Sequence, residues 1–484
     1  MSQAKQIVKH SSIYAVGNIS RQLVGFLMLP VYTRFLSPAD YGVVGLLIFM
    51  ISLIELLFGG HLFHAVPKFY FQKESETERR VFLSTALITT VFISSVTVSL
   101  VVIFRENASQ ILFGTAEYSH LVSLFAVLIL THALENYAMV FIRIQKKPWL
   151  FVGASTTKLV LQLSLNIYFV VILQMGVFGV AISTMTSSIL FTGVMTAYTV
   201  WHTKLAYQKE IAITLIRFSW PLWVGGIAGL YIGSANRYFI RIFGSLDDVG
   251  LFELAAKFGS VILVLVWTPF AQYWQTERFS IYKQSNPIPI YQGVFKTIST
   301  LLVLAALGIS LFSAPVIEIM SDKKFHAASL AIPFLTFGAV FQCLTIFNNF
   351  SFLLKEKTSW MSRNSYFTAA IITIFYLILI PKFGYVGAAI SLLAAFIIQF
   401  IIVFYSAKVH YDMRLSLAPL FYSIFISSII VGVNTLFTQE SSIKQFFLSG
   451  SLFIAGSTAI LLPIFRDPAA IRLLNDFKPK KNPK

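Results

Sequence analysis

Eight ionisable residues fall inside long apolar runs of the chain: Arg21, Glu55, His132, Glu135, Lys158, Arg237, Glu253 and Lys257. A charged side chain at bilayer depth is costly, so such groups face protein or water and mark a transport path, an ion site or a structural pair. Arg21, Lys158, Arg237 and Lys257 are the candidate substrate contacts. Arginine stays charged in the cell, and its fork can hold two phosphate oxygens at once. Glu55, Glu135 and Glu253 are the candidates for charge pairing or for coupling to a cation. Each group also has a plainer reading. Arg237 stands near the outer end of its run and can snorkel to the interface. Arg21 and Lys158 lie about two turns from the inner surface and can do the same. Glu253 and Lys257 stand at i and i+4 and can neutralise each other. Glu55 and Glu135 can pair with Arg21 and Lys158, or can titrate. His132 reads as a satisfied packing residue.

The missing motifs narrow the chemistry. There is no phosphate-binding glycine loop, no H-E-x-x-H and no cysteine pair. The single cysteine, Cys343, sits in an apolar run, which excludes an intrachain disulfide or thiolate metal site. The inner loops around 64–80, 202–217 and 274–293 are too short for a soluble catalytic domain. The expectation is therefore no enzyme, no metal and no cofactor, and an ATP-driven mechanism would need a separate subunit.

The elements that position these groups follow from composition. The chain has 484 residues, 57% hydrophobic and 12% charged, with a mean hydropathy of +0.77. A soluble domain carries about 25% charged residues. Apolar runs long enough to cross a ~30 Å hydrocarbon core recur along the whole length. They are continuous rather than alternating, which excludes a closed barrel. The chain reads as an all-α polytopic membrane protein of about fourteen transmembrane helices. Their expected positions are 12–35, 41–63, 81–104, 120–142, 152–174, 177–201, 218–241, 249–273, 294–313, 327–353, 364–381, 385–406, 416–437 and 446–465.

The net charge of +17 raises the question of nucleic acid. Its placement answers for a membrane instead. Of 37 Lys and Arg, 26 fall in segments on the side of the N-terminus, seven on the other side and four within spans. The positive-inside rule then puts both termini in the cytoplasm. The N-terminal MSQAKQIVKH is polar and carries no cleavable signal pattern. The basic tail from Arg466 to Lys484 reads as a disordered end near anionic lipid.

The chain also repeats itself. GVFGVAIS at 176–183 returns as GYVGAAIS at 384–391, an offset of 208 that Tyr168/Tyr376 and Gly42/Gly250 share. The turn before Tyr41-Gly42, with Arg34 and Asp40, has its echo around Arg241 and Asp248. Six spans separate equivalent points, an even number, so the copies face the same way. A parallel repeat about the membrane normal places a substrate between its halves. The expected organisation is an N-terminal six-helix lobe over 1–212, a second over 213–408, and two appended helices with the basic tail over 409–484. Glycine and alanine in the sixth and twelfth spans allow close helix packing. Pro30, Pro221 and Pro269 each interrupt a span, as a packing kink or as opened backbone lining a cavity.

Three stretches carry a resemblance: GNISRQLVGFLMLPVYTRFLSPADYG near the N-terminus, NIYFVVILQMGVFGVAIST, and its echo FYLILIPKFGYVGAAIS. With the span count and repeat, they resemble the multidrug/oligosaccharidyl-lipid/polysaccharide exporter superfamily, in its polysaccharide branch. The resemblance implies two six-helix lobes around a central cavity plus two extra helices. It implies flipping of a polyprenyl-diphosphate-linked oligosaccharide across the bacterial inner membrane, for O-antigen, capsule or exopolysaccharide synthesis. Arg21 lies in the matching stretch of the first span, where the resemblance implies a diphosphate contact. Lys158, Arg237 and Lys257 are placed by depth alone. Ala228 stands where the repeat would put Arg21, so the two copies are unequal. Asn18, Gln22, Thr156, Gln162 and Asn166 could line a sugar path or hold helices together. The implied partners are the lipid-linked substrate, membrane lipids, a coupling cation (proton or sodium) and polysaccharide-assembly proteins. The competing reading is a cation-coupled small-molecule or drug antiporter of the same broad fold.

Overall fold

The computed structural model describes residues 26, 28–58, 62–437 and 442–465. All regular structure among them is helical. The main helices are α1 (Leu29–Phe35), α2 (Pro38–Phe58), α3 (Glu76–Ile103), α4 (Ser119–Ile144), α5 (Pro148–Asn166), α6 (Gly176–Thr203), α7 (Lys209–Ser234) and α8 (Asn236–Phe243). The chain continues through α9 (Leu246–Val261), α10 (Thr268–Tyr282), α11 (Ile288–Met320), α12 (Ile332–Asn348), α13 (Ser359–His410), α14 (Ala418–Leu436) and α15 (Ser442–Phe465).

Eleven helical segments among the described residues are long and apolar enough to cross a membrane. One of them, α13, runs 52 residues. At 1.5 Å per residue it is more than twice the thickness of a bilayer core. Its backbone leaves helical geometry at Gly384 (φ 56°, ψ −138°), so it holds the eleventh and twelfth expected spans. α7 matches the seventh expected span but falls outside the eleven. Of the first expected span, α1 is the helical part that is described; Arg21, Asn18 and Gln22 lie outside the described residues.

The chain divides into two compact units, 1–250 and 251–484. The dividing point lies beyond the loop where the sequence places the join between repeat copies, because α7 packs on α2 and α3. In the first unit α3, α4 and α6 pack together, and the buried Tyr137 hydroxyl donates to the Leu83 carbonyl at 2.6 Å. In the second, α12 packs on α13 and α11. The appended α14 and α15 are fastened to α11 by polar groups. Ser449 donates to the Leu311 carbonyl (2.9 Å), Gln445 and Ser449 share the Asn434 side-chain oxygen (3.1 and 3.2 Å), and Ser442 donates to the Glu318 carboxylate (2.6 Å). Between helices in lipid each such bond contributes on average about 0.6 kcal/mol.

The repeat has a local structural cause. Gly176 (φ 53°) and Gly384 (φ 56°), 208 residues apart, both take the left-handed conformation that a side chain resists. Three residues on, a Cβ on Gly179 would meet the Phe169 carbonyl at 2.9 Å, and one on Gly387 would run into the Leu379 carbonyl. The sequence identity at these positions thus preserves the same two backbone demands. The turns before α2 and α9 are likewise paired. Asp40 accepts from the Ser37 amide (2.9 Å) while Ser37 Oγ accepts from the Asp40 amide (3.0 Å). Ser245 and Asp248 repeat this reciprocal cap at 3.0 and 3.1 Å. It is a capping box with aspartate in the third position.

These two turns also touch. The Ala39 amide donates to Asp247 Oδ1 at 3.0 Å. A Cβ on Gly42 would strike the Leu246 carbonyl, and one on Gly250 the Pro38 carbonyl. In an open helix, alanine is favoured over glycine by about 1 kcal/mol. Here overpacking reverses the sign, at about 1–3 kcal/mol. Gly250→Ala is therefore expected to lower the thermal unfolding temperature in detergent. Gly229→Ala, where nothing lies within 4 Å of the added carbon, should leave it unchanged or raise it. Equal behaviour of the two variants would refute the close contact.

Candidate intramembrane charge site

The first unit gathers four of the ionisable groups onto three adjacent helices. Lys158 on α5 forms an ion pair with the Glu135 carboxylate on α4. Both side chains are largely buried, 16% and 13% exposed. The ammonium also stands 5.8 Å from the Phe191 ring centre. One turn earlier on α4, His132 Nδ1 faces Glu55 Oε2 of α2 at 3.8 Å, and Glu55 is 15% exposed. His132 and Glu135 are spaced i and i+3, so one face of α4 serves both neighbours.

The two pairs differ in kind. Lys158 supplies Glu135 with a permanent countercharge. Among the described residues, the basic group facing Glu55 is His132, which is charged only when protonated. With a neutral imidazole, the group of four carries one excess negative charge; one proton cancels it. The sequence reading of His132 as a packing residue thus meets a different finding, a contact with a carboxylate.

The other candidates stand apart from this group. Arg237 on α8 donates to the Gly233 carbonyl (3.1 Å) and to Asn236 Oδ1 (3.3 Å). Glu253 and Lys257 are half-buried, one turn apart on α9, in the second unit. Asn166 is buried and accepts from the Ser183 hydroxyl at 2.6 Å, which makes it a tie between α5 and α6. Thr156 is exposed and Gln162 half-buried on the same helix. Among the described residues no cluster of His, Cys, Asp and Glu suits a metal ion.

Irregular backbone adjoins these elements. A π-helical turn over Ile167–Ile172 extends α5, and another over Ile262–Trp267 joins α9 to α10. Pro269 follows the second turn, in the first turn of α10, and Thr268 beside it bonds the Leu263 carbonyl through both its amide and its hydroxyl. Pro30 sits in the first turn of α1, where no donor is needed. Such turns leave no trace in hydropathy, and the sequence does not place them. The second unit also contains an apolar groove of about 440 Å³ between α10 and α11, walled by Phe270, Tyr273 and Trp274, with Glu277 on its lining.

The family model described as polysaccharide biosynthesis protein matches residues 7–273. The chain belongs to this family. An uncharacterized membrane protein of Methanocaldococcus jannaschii is 24% identical over 212 residues, spanning 41% of this chain and 40% of that relative. Among solved structures, the lipid II flippase MurJ in an inward closed conformation covers 95% of this chain and 100% of its own, at 14% identity and TM-score 0.75. The MATE multidrug transporter DinF-BH covers 85% of this chain and 97% of its own, at 14% identity and TM-score 0.58. A MOP superfamily transporter from Pyrococcus furiosus shares 16% identity, covers 85% of this chain and 97% of its own, and has a TM-score of 0.52. At these identities the likeness is one of fold. The chain shares the multi-pass helical fold of these three solved structures.

Proposed function

We propose that this family member flips a polyprenyl-diphosphate-linked oligosaccharide across the bacterial inner membrane by alternating access, with both termini cytoplasmic. The polysaccharide-biosynthesis family match carries the reading. Physical chemistry supports it. A diphosphate cannot be taken into hydrocarbon without partners. The spans hold four Lys and Arg against three carboxylates, and a basic cavity open to one side at a time would supply those partners. Arg21 is the first candidate, followed by Lys158, Arg237 and Lys257; two repeat lobes would enclose the path. Glu55 with His132 would supply the coupling group, with a proton as the cation.

The test is genetic and chemical. Loss of the gene should leave lipid-linked oligosaccharide on the inner leaflet and stop polysaccharide export. The wild type should restore export; Arg21→Ala should insert at normal levels and restore none, and Arg21→Lys should restore part. Export by a normally inserted Arg21→Ala protein would sink the diphosphate role. A cation-coupled antiporter is the second reading, favoured by the α10–α11 groove, whose aromatic wall and carboxylate suit a lipophilic cation. Drug sensitivity without lipid-linked oligosaccharide accumulation after gene loss would select it.

A further inference from the structure

We propose that the start of α13 is a binding site for one anionic glycerophospholipid of the surrounding bilayer. The site is a groove of about 720 Å³ in the second unit, lined by Ser359, Ser362, Arg363, Asn364, Phe367 and Ile402 among others. Its two ends differ in chemistry. Ser359, Ser362 and Arg363 lie in the first two turns of the helix. Phe367 lies about 6 Å deeper along the helix axis. It is 50% exposed, and Ile402 comes from the returning half of the same long helix. A polar, cationic mouth above an apolar floor matches a headgroup above an acyl chain.

The mouth is a fixed structure. Trp360 stacks parallel to Phe352 at 6.3 Å and edge-on to His410 at 5.5 Å. The Arg363 guanidinium lies 4.6 Å from the Trp360 ring centre. That contact orients the arginine and leaves its planar fork available for phosphate oxygens. Lys355 and Lys357 are exposed in the preceding loop; its one carboxylate, Glu356, does not line the groove, nor does any other among the described residues. Basic pockets at the membrane surface are the sites where anionic headgroups collect.

A second observation points to a ligand independently. Asn364 lines the groove and is 7% exposed, yet its amide nitrogen has no hydrogen-bond partner among the described residues. Buried polar groups are almost always paired. A lipid phosphate or ester oxygen at the groove would provide the acceptor. The repeat offers a contrast: at the 208-residue offset the first copy has Val152, Ser155 and Thr156 in place of Trp360, Arg363 and Asn364. The fold is built twice, and this combination of groups occurs in one copy.

The site stands independently of the flipping reading, and one measurement separates it from a substrate site. The purified full-length protein is offered dioleoyl phosphatidylglycerol, dioleoyl phosphatidylcholine or undecaprenyl diphosphate, and retained lipid is counted by native mass spectrometry. One phosphatidylglycerol should be kept in preference to phosphatidylcholine by about tenfold, because the charge-assisted bonds require an anionic headgroup. Arg363→Ala should remove most of that preference, and Asn364→Leu should reduce it. Arg363→Lys, which retains charge and chain length, should keep part and also guards against misfolding of the alanine variant. Equal retention of the two phospholipids, or an unchanged preference in Arg363→Ala, would overturn the site. Displacement of phosphatidylglycerol by undecaprenyl diphosphate at equal concentration would overturn it as a bilayer-lipid site and assign it to substrate.

Discussion

Lys158→Met should destabilise the first unit by about 3–5 kcal/mol, the cost of leaving one member of a buried ion pair without its partner. The Glu135 carboxylate would remain 13% exposed among apolar helices, and Lys158 is the cation that pairs with it among the described residues. Glu135→Gln, which leaves Lys158 as the unpaired member, should cost a comparable amount. Combining Glu135→Gln with Lys158→Met should recover most of the loss, since both charges then disappear together. Unfolding temperature in detergent, measured across the three variants, reads the cycle. The same set decides what Lys158 is for. A Lys158→Met protein that melts like the wild type but fails in export would place the lysine on substrate rather than on Glu135.

Glu55→Gln should leave abundance and unfolding temperature near wild type and lower export at least about tenfold. The argument is the charge count of the four-residue group. Glu135 is matched by Lys158, whereas among the described residues the basic group facing Glu55 is His132, 3.8 Å away. Amide replacement removes the negative charge permanently and with it the group that a coupling cation would neutralise. His132→Ala should retain part of the activity, because the Glu55 carboxylate is still present. Wild-type export by Glu55→Gln would remove the pair from coupling and leave it a helix contact.

The sequence is most informative where backbone geometry limits residue choice. Gly176 and Gly384 are identical because both need positive φ, and Ser-x-x-Asp returns because both turns are closed by reciprocal caps. Apolar runs mark most spans, since length and hydropathy are one-dimensional properties. Pairing between helices is legible only as one alternative: the sequence offers Lys158 as a partner for Glu135 without deciding it, and the structure pairs them. Lys158 and Glu135 are 23 residues apart, and nothing along one chain fixes which faces of α4 and α5 meet. His132 is undervalued for the same reason, although its i,i+3 spacing from Glu135 is a usable sign of a shared face. Asn166 reads in the sequence as a candidate for a polar path; burial and the Ser183 bond make it an attachment between helices. Arg21 is singled out by sequence alone and lies outside the described residues.

The touching turns carry a consequence for the origin of the chain. Pro38 and Gly42 meet Gly250 and Leu246, and each position maps onto its opposite through the same offset of 208. Residue i meets j, and j's counterpart meets i's. That is the signature of an isologous contact, the kind made when one surface of a protein pairs with the same surface of a second copy. A single surface bearing one Ser-x-x-Asp-x-Gly turn possesses both halves of this contact and could therefore pair with a second copy of itself. Backbone meets backbone here, so the rest of each copy could diverge, one gaining Arg21 and the other Ala228, without unmaking the joint.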